Sequence, residues 1–194
     1  MNLKEKIERY VPYNEQEEAD KQELLRILEL NENYFIRENL AAHFTASGWV
    51  VSPDRTKTLL AYHNLYDSWA WLGGHADGET DLLSVALKEV REESGLKEVF
   101  LVSEDVFSLE ILPVFGHEKN GKYVSSHLHL NVTFLLEADP TAEIHNNPDE
   151  NSKVGWFDLD DVPRVSTETW FVHRIYRKLI EKTKENEAWK PEKF

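Results

Sequence analysis

Hydrophobic and polar residues follow two different periods along the chain, and each period predicts one kind of element. Apolar positions recur at roughly helical spacing in residues 15–30, 80–94 and 167–187, which predicts three helices. Runs rich in β-branched and aromatic residues predict strands in the segments between them. The predicted strands cover residues 48–51, 58–62, 69–72, 98–103, 107–115, 127–136 and 153–157.

The order of these elements predicts the fold class. Strands and helices are mixed without a regular βαβ alternation, which favours an α/β (α+β) layered domain with a mixed β-sheet. The first helix precedes all the strands, and Asn14 followed by Glu17 has the spacing of a capping box at its start. We therefore predict that residues 1–43 form an N-terminal helical extension packed on a domain of residues 44–194.

Composition and charge narrow the range of functions. Hydrophobic residues make up 41% of the 194 residues, which is enough for a folded domain with a core. The formal net charge of −14 disfavours binding to nucleic acids, because an acidic surface repels the phosphate backbone. No apolar run approaches the roughly 18 residues that span a bilayer, and the first residues contain no apolar signal-peptide core. We expect a cytoplasmic protein that does not bind membranes.

The helix predicted at residues 80–94 carries two different faces. At 100° per residue, its expected packing face comprises Leu83, Ala86, Leu87 and Val90. Glu89, Glu92 and Glu93 lie at i, i+3 and i+4 on another side. Thr80 is the expected N-cap and Gly95 the expected stop of this helix.

Three carboxylates on one helical patch have two interpretations. They form a solvated acidic face, or they bind a divalent cation such as Mg²⁺ or Mn²⁺, for which oxygen ligands are preferred. Gly73 and Gly74 end the preceding strand at a sharp turn, where a backbone carbonyl can approach a ligand closely. A strand, a glycine turn and an acidic helix together favour a site. Because the chain has no cysteine, a thiolate metal site is excluded.

Residues 73–96 resemble the Nudix box, the signature of the Nudix hydrolase family. The residues that match its second half are Glu89, Val90, Glu92, Glu93, Gly95 and Leu96, and residues 73–79 match its first half. Lys88 stands where the family usually has Arg. The segment between Glu79 and Lys88 is one residue longer than the pattern, so that counting from the C-terminal end places Thr80 at the position of the first Glu.

The resemblance implies a Nudix-type α/β/α sandwich with a mixed sheet, and metal-dependent cleavage of a phosphoanhydride bond. It implies that Glu89, Glu93 and, after these two, Glu92 bind Mg²⁺ or Mn²⁺, and that a carbonyl of Gly73 or Gly74 completes the shell. It gives Glu79 a supporting role at the helix. The general base is expected to be one of the box glutamates or Glu150, an acidic residue in a later loop.

Other residues are candidates for contact with a nucleotide-like diphosphate substrate. His127 and His129 alternate along a predicted strand and share a face with Asn131, which is either a wall of the substrate cleft or a solvated face. His75 lies within the glycine turn. Trp71, like its neighbour Trp69, stacks on a base or packs in the core.

The substrate and some alternatives stay open at this point. ADP-ribose, other nucleotide sugars, dinucleoside polyphosphates and nucleoside triphosphates all fit the resemblance. A related isomerase of isopentenyl diphosphate uses a cysteine, which this chain lacks. A non-catalytic nucleotide-binding module of the same fold typically loses the glutamates, which this chain keeps. Dimers are common in the family, so a homodimer is also left open.

Overall fold

The computed structural model describes residues 1–30, 33–119, 121–148 and 151–185. The helices are α1 Leu3–Arg9, α2 Glu15–Leu28, α3 Leu82–Ser94, α4 Val162–Val165, α5 Thr169–Phe171 and α6 Arg177–Glu185, with a 3₁₀ turn at Leu159–Asp161 and a π-helical segment at Val172–Tyr176. The strands are β1 Ala42–Val51, β2 Lys57–His63, β3 Ser68–Ala70, β4 Leu72–His75, β5 Phe100–Leu101, β6 Ser108–Val114, β7 His117–Lys119, β8 Lys122–Val124, β9 His127–Glu137 and β10 Asn151–Asp158. The predicted mixed α+β class is confirmed.

Eight of the strands join in one hydrogen-bonded sheet. Its main path has the order β10–β2–β1–β9–β5, with β3 paired to β2, β4 to β1 and β6 to β9. Strands β7 and β8 form a separate antiparallel pair. Within the described ranges, no helix is both long and apolar enough to cross a lipid bilayer.

The chain divides into two compact units, each built from three separate stretches of sequence. The first unit contains the described residues of Met1–Ser47, Gly74–Ala86 and Asp105–Phe134. The second contains the described residues of Gly48–Gly73, Leu87–Glu104 and Leu135–Phe194.

In the first unit, the N-terminal helices lie along the edge of β6. Strand β6 pairs with β9 from Ser108↔Thr133 to Val114↔His127. On its other edge, the Gln16 amide donates to the carbonyl of Leu109 at 3.0 Å, and the backbone N–H of Ile111 donates to Asp20 at 2.9 Å. The Tyr10 hydroxyl donates to the carbonyl of Phe107 at 3.2 Å. Side chains of the helical region thus bind backbone groups on the edge of β6 that faces away from β9.

The first unit also buries a polar network between β1, β6 and β9. The Asn131 carbonyl oxygen accepts hydrogen bonds from the hydroxyls of Thr45 (3.0 Å) and Ser47 (2.9 Å). The Asn131 amide donates to Glu110 at 2.9 Å, and Glu110 is completely buried. Asn131 therefore serves the interior of the protein, because buried polar groups are retained where they are hydrogen-bonded.

The second unit packs around the aromatic rings of Trp49 and Tyr176. Both are fully buried, and the Trp49 indole N–H donates to the Thr183 hydroxyl at 3.0 Å. Strand β2 pairs with β10 along most of its length, and with β3 on its other side. The last predicted helix, residues 167–187, is present as α5, the π-helical segment and α6, which follow one another without a gap from Thr169 to Glu185. The last two predicted positions lie outside the described residues.

The buried face of α3 differs from the predicted one. The buried apolar residues of this helix are Leu82, Val85, Ala86 and Val90. Leu83 and Leu87, which we expected in the core, are only half-buried. Ala86 and Val90 are buried as predicted, whereas Leu83 and Leu87 are only partly covered because Glu89 and Glu93 continue the buried stripe. A hydrophobic pattern assigns such carboxylates to the surface.

Candidate functional site

The first turn of α3 is held by the acidic residues that precede it. The Glu79 carboxylate accepts the backbone N–H groups of Thr80 at 2.8 Å and Asp81 at 2.9 Å. The Ser84 hydroxyl donates to Asp81 at 2.7 Å and lowers the pKa of that carboxyl. The helix begins at Leu82, so Asp81 and not Thr80 directly precedes it. Glu79 therefore supports the start of the helix.

Glu89 and Glu93 lie one turn apart on the buried side of α3. Their relative exposures are only 9% and 7%, whereas the side chain of Glu92 is 50% exposed. Lys88 lies 3.2 Å from a carboxylate oxygen of Glu89 and 3.2 Å from one of Glu92. The lysine compensates part of the negative charge, but its side chain is 61% exposed, which keeps these ion pairs weak.

The glycine turn contacts Glu93 through a backbone amide. The N–H of Gly73, in β4, donates to a carboxylate oxygen of Glu93 at 2.9 Å. The Asn151 side chain donates to the backbone carbonyl of Glu93 at 3.0 Å, which ties β10 to the same turn of helix. These two bonds hold the carboxylate and the backbone of Glu93 in place. Gly74 lies in the first unit and is half-buried.

Gly95 ends α3 as its position predicted. Its φ of +71° is a left-handed conformation, and its N–H donates to the Arg91 carbonyl at 2.9 Å. Glycine adopts this conformation without the strain that a Cβ would cause, so the helix can end two residues after Glu93.

A cluster of four imidazole rings, the histidine cluster, lies in the first unit: His43, His75, His127 and His129. The rings come from β1, β4 and β9. His43 is the centre, with ring centroids 5.0 Å from His75, 4.8 Å from His127 and 5.2 Å from His129. The predicted substrate-wall residues His75, His127 and His129 are thus brought together, and His43 is an addition that the sequence analysis missed.

Burial keeps the inner rings of this cluster neutral. Burial, followed by the neighbouring imidazoles His75, His43 and His127, lowers the pKa of His129 to about 2. Burial also lowers the pKa of His43 below its ordinary value of 6.5. Neutral rings offer lone pairs and hydrogen bonds, but they do not supply positive charge to a phosphate.

One ring nitrogen each from His43, His75 and His129 lies within 4.8 Å of the others. In the described part of the chain, this is the one set of three histidine, cysteine or acidic side chains close enough to hold an ion between them. The three glutamates of α3 do not form such a set there.

The remaining predicted site residues have different positions. Trp71 is half-buried, and its ring meets the buried ring of Tyr176 edge-on at 5.6 Å between centroids, which is a packing contact. Glu150, the predicted additional base, lies outside the described residues.

Solved structures with the same fold support the resemblance seen in the sequence. An Ap4A hydrolase of C. elegans in a binary complex aligns with 75% of this chain and 97% of its own, at a TM-score of 0.53 and 18% identity. The Nudix hydrolase RenU of M. smegmatis aligns with 74% of this chain and 87% of its own, at a TM-score of 0.53 and 16% identity. The E. coli dihydroneopterin triphosphate pyrophosphohydrolase aligns with 69% of this chain and 94% of its own, at a TM-score of 0.51 and 14% identity.

The family follows from the sequence and agrees with these folds. No curated protein sequence matches the chain. At identities below 25%, the structural similarities establish the fold alone. The model of the NUDIX domain family, however, matches residues 42–180, which include α3 and the glycine turn. The chain is therefore a member of the Nudix family.

Proposed function

We propose that this protein is a divalent-metal-dependent hydrolase that cleaves a phosphoanhydride bond in a nucleoside diphosphate derivative. The observation that carries the proposal is the pair Glu89 and Glu93, both buried on α3 at relative exposures of 9% and 7%. The family match includes this helix, and the acidic residues of the Nudix box are intact at positions 89, 92 and 93.

Two buried carboxylates one helical turn apart are costly without a cation. Burial disfavours the charged form of each, and like charges at i and i+4 repel. Lys88 offsets part of this charge from an exposed position beside Glu89. Mg²⁺ or Mn²⁺ fits the site better, since these ions prefer carboxylate oxygens and carry two charges. Glu89 and Glu93 would hold the ion, and Glu92 would join them by leaving its ion pair with Lys88.

The residues around the ion would position the reacting groups. A bound divalent ion neutralises phosphate oxygens and lowers the pKa of a bound water. The Gly73 amide donates to one carboxylate oxygen of Glu93 and orients this side chain, which would bind the ion or accept the proton of the attacking water. Glu79 fixes the first turn, so that the helix presents its carboxylates in one register.

The substrate class follows from the same charge argument. A chain with a net charge of −14 can bind an anionic diphosphate through a cation that compensates both partners. Two proteins of the same fold are named as an Ap4A hydrolase and a dihydroneopterin triphosphate pyrophosphohydrolase. Dinucleoside polyphosphates and triphosphates are therefore the first compounds to test, followed by ADP-ribose and other nucleotide sugars.

The test is a hydrolysis screen with Mg²⁺ and with Mn²⁺, followed by substitution of the glutamates. Glu93→Gln and Glu89→Gln keep the side-chain size but remove a ligand charge. We expect each to slow turnover by about 100-fold or more, on the order of 3 kcal/mol. The matched control is Glu98→Gln, which changes an exposed glutamate beyond the end of α3 and should keep full activity.

Two results would contradict the proposal. One is full metal-dependent turnover in Glu93→Gln. The other is saturable nucleotide binding without turnover of any compound in the screen, which would instead identify a binding module.

A further inference from the structure

We propose that His43, His75 and His129 form a binding site for a first-row transition metal ion of the Zn²⁺ type, built without any of the glutamates of α3. The three side chains lie on β1, β4 and β9, within the first unit. The inference is independent of the proposed hydrolase activity, because it rests on the geometry of the histidines alone.

The spacing of the ring nitrogens is close to that of a metal site. One nitrogen from each of the three rings lies within 4.8 Å of the other two. Two nitrogens bound to one tetrahedral Zn²⁺ at 2.0–2.1 Å are roughly 3.3–3.4 Å apart. Small side-chain rotations bring the three nitrogens onto one ion, and the strands that carry them stay in place.

His43 is already oriented as a metal ligand. Its Nδ1 lies 3.0 Å from the carbonyl oxygen of Asn39, and because a carbonyl can only accept, Nδ1 carries the hydrogen. In a neutral ring the lone pair is then on Nε2. This atom is buried and has no hydrogen-bond partner among the described residues, although His43 is only 5% exposed. A ligating histidine typically donates its other N–H to a backbone carbonyl in this way.

The neighbour of His129 is oriented in the same manner. Nδ1 of His127 lies 2.8 Å from the carbonyl oxygen of Ser125, so it carries a hydrogen. Nε2 of His127 then carries the lone pair and accepts a hydrogen bond from Nε2 of His129 at 3.2 Å. In a neutral His129 ring, Nδ1 is therefore the nitrogen that would bind the ion. This contact fixes the ring of His129 from outside the set of three ligands. His127 is therefore a positioning residue, which orients a ligand without being one.

The donor set selects the kind of ion. Imidazole suits Zn²⁺ and its first-row neighbours, whereas Mg²⁺ and Ca²⁺ prefer oxygen ligands. Three protein nitrogens around a tetrahedral ion leave the fourth position for water or for a ligand oxygen, which is the arrangement of catalytic rather than structural zinc sites. The histidine cluster thus fits a Zn²⁺ ion with an open position.

The experiment measures metal binding, not activity. The full chain is dialysed against a chelator and titrated calorimetrically with Zn²⁺. In a parallel titration, Co²⁺ reports tetrahedral nitrogen coordination by its visible absorption. We expect one Zn²⁺ per chain, a higher melting temperature on binding, and no competition from millimolar Mg²⁺.

Substitutions then locate the site. His75→Gln and His43→Ala should each weaken Zn²⁺ binding by at least about tenfold, since each removes one of three ligands. The matched control is His173→Ala, which changes an exposed histidine of the π-helical segment. This variant should bind Zn²⁺ with the affinity of the unaltered protein. Circular dichroism checks that each variant is folded. If the buried change His43→Ala prevents folding, the Zn²⁺ affinity of His75→Gln decides the test.

The Glu89→Gln/Glu93→Gln double variant separates the two proposals. It should bind Zn²⁺ with unchanged affinity while it loses the proposed hydrolase activity. The inference is overturned if the folded, unaltered chain binds no Zn²⁺, or if His75→Gln and His173→Ala bind it equally well. It is also overturned if the bound Zn²⁺ is lost from the glutamate variant.

Discussion

Adding one methyl group at Gly48 tests how tightly α3 is packed against the sheet. Gly48 lies in β1, and an ideal Cβ on it would be 2.5 Å from Cγ2 of Val90 and 2.8 Å from Cδ1 of Leu136. Carbon atoms in contact are normally about 3.5–4.0 Å apart. Val90 and Leu136 are both fully buried, so neither can move into solvent. Both side chains must shift, each by roughly 1 Å, to accept the methyl.

The magnitude follows from two opposing effects. Overpacking of a well-filled core costs about 1–3 kcal/mol. The loss of backbone freedom in the unfolded chain offsets about 0.4–1 kcal/mol of this, because the backbone of Gly48 is not left-handed. We expect Gly48→Ala to lower the free energy of unfolding by about 1–2 kcal/mol. For a chain of this length, that corresponds to a melting temperature lower by roughly 2–8 °C.

Urea unfolding of four proteins measures the effect and its cause. Val90→Ala alone removes two buried methyl groups and is destabilising. In Gly48→Ala/Val90→Ala the new methyl occupies part of the space that Val90 leaves. We therefore expect the double variant to be more stable than the sum of the two single changes implies, by about 1 kcal/mol or more.

Two results would refute this reasoning. If Gly48→Ala is as stable as the unaltered protein, the space beside Gly48 is not filled as described. If the double-variant cycle gives purely additive changes, the cost of the methyl does not come from Val90.

Two further predictions concern the end of α3 and the half-buried Glu168. Gly95→Ala should lower the free energy of unfolding in urea by about 1–2 kcal/mol, because alanine is strained at a φ of +71°. The new Cβ would also meet the ring of His145, but this ring is exposed and can rotate away. If the additional change His145→Ala restored the stability, the backbone strain would not be the cause. Burial raises the pKa of Glu168 above its ordinary value of 4.5, so the folded protein is destabilised as pH rises through and above that value. Glu168→Gln should therefore stabilise the protein at pH 7 in urea unfolding, and the gain should vanish at pH 4; an equal gain at both pH values would argue against burial as the cause.

Helix α3 shows what sequence patterns can and cannot predict. The spacing of residues alone predicted the helix, its end at Gly95 and the position of its three glutamates on one side. The burial of Glu89 and Glu93 did not, because a pattern of apolar residues places every carboxylate at the surface. For Glu93, the buried position includes a contact that is distant in sequence, the hydrogen bond from the amide of Gly73.

Strand β1 shows a second limit. It begins at Ala42, whereas we predicted residues 48–51, because the segment before Gly48 contains polar residues that a strand-core pattern rejects. Those residues are buried all the same, since Thr45 and Ser47 bind Asn131. His43 was missed for the same reason. The alternation of His43, Thr45 and Ser47 was a usable signal, since it matches the alternation of the polar residues on β9.

The helical region before β1 has a consequence for solubility. Its side chains from Gln16 and Asp20 occupy the outer hydrogen-bonding groups of Leu109 and Ile111 on β6. An edge strand without such cover is a template for pairing with the strand of another molecule. The N-terminal helices cover this edge of β6 and thereby oppose edge-to-edge aggregation. A chain shortened to the part that matches the family would keep its glutamates and histidines, but it would present β6 to every other copy in solution.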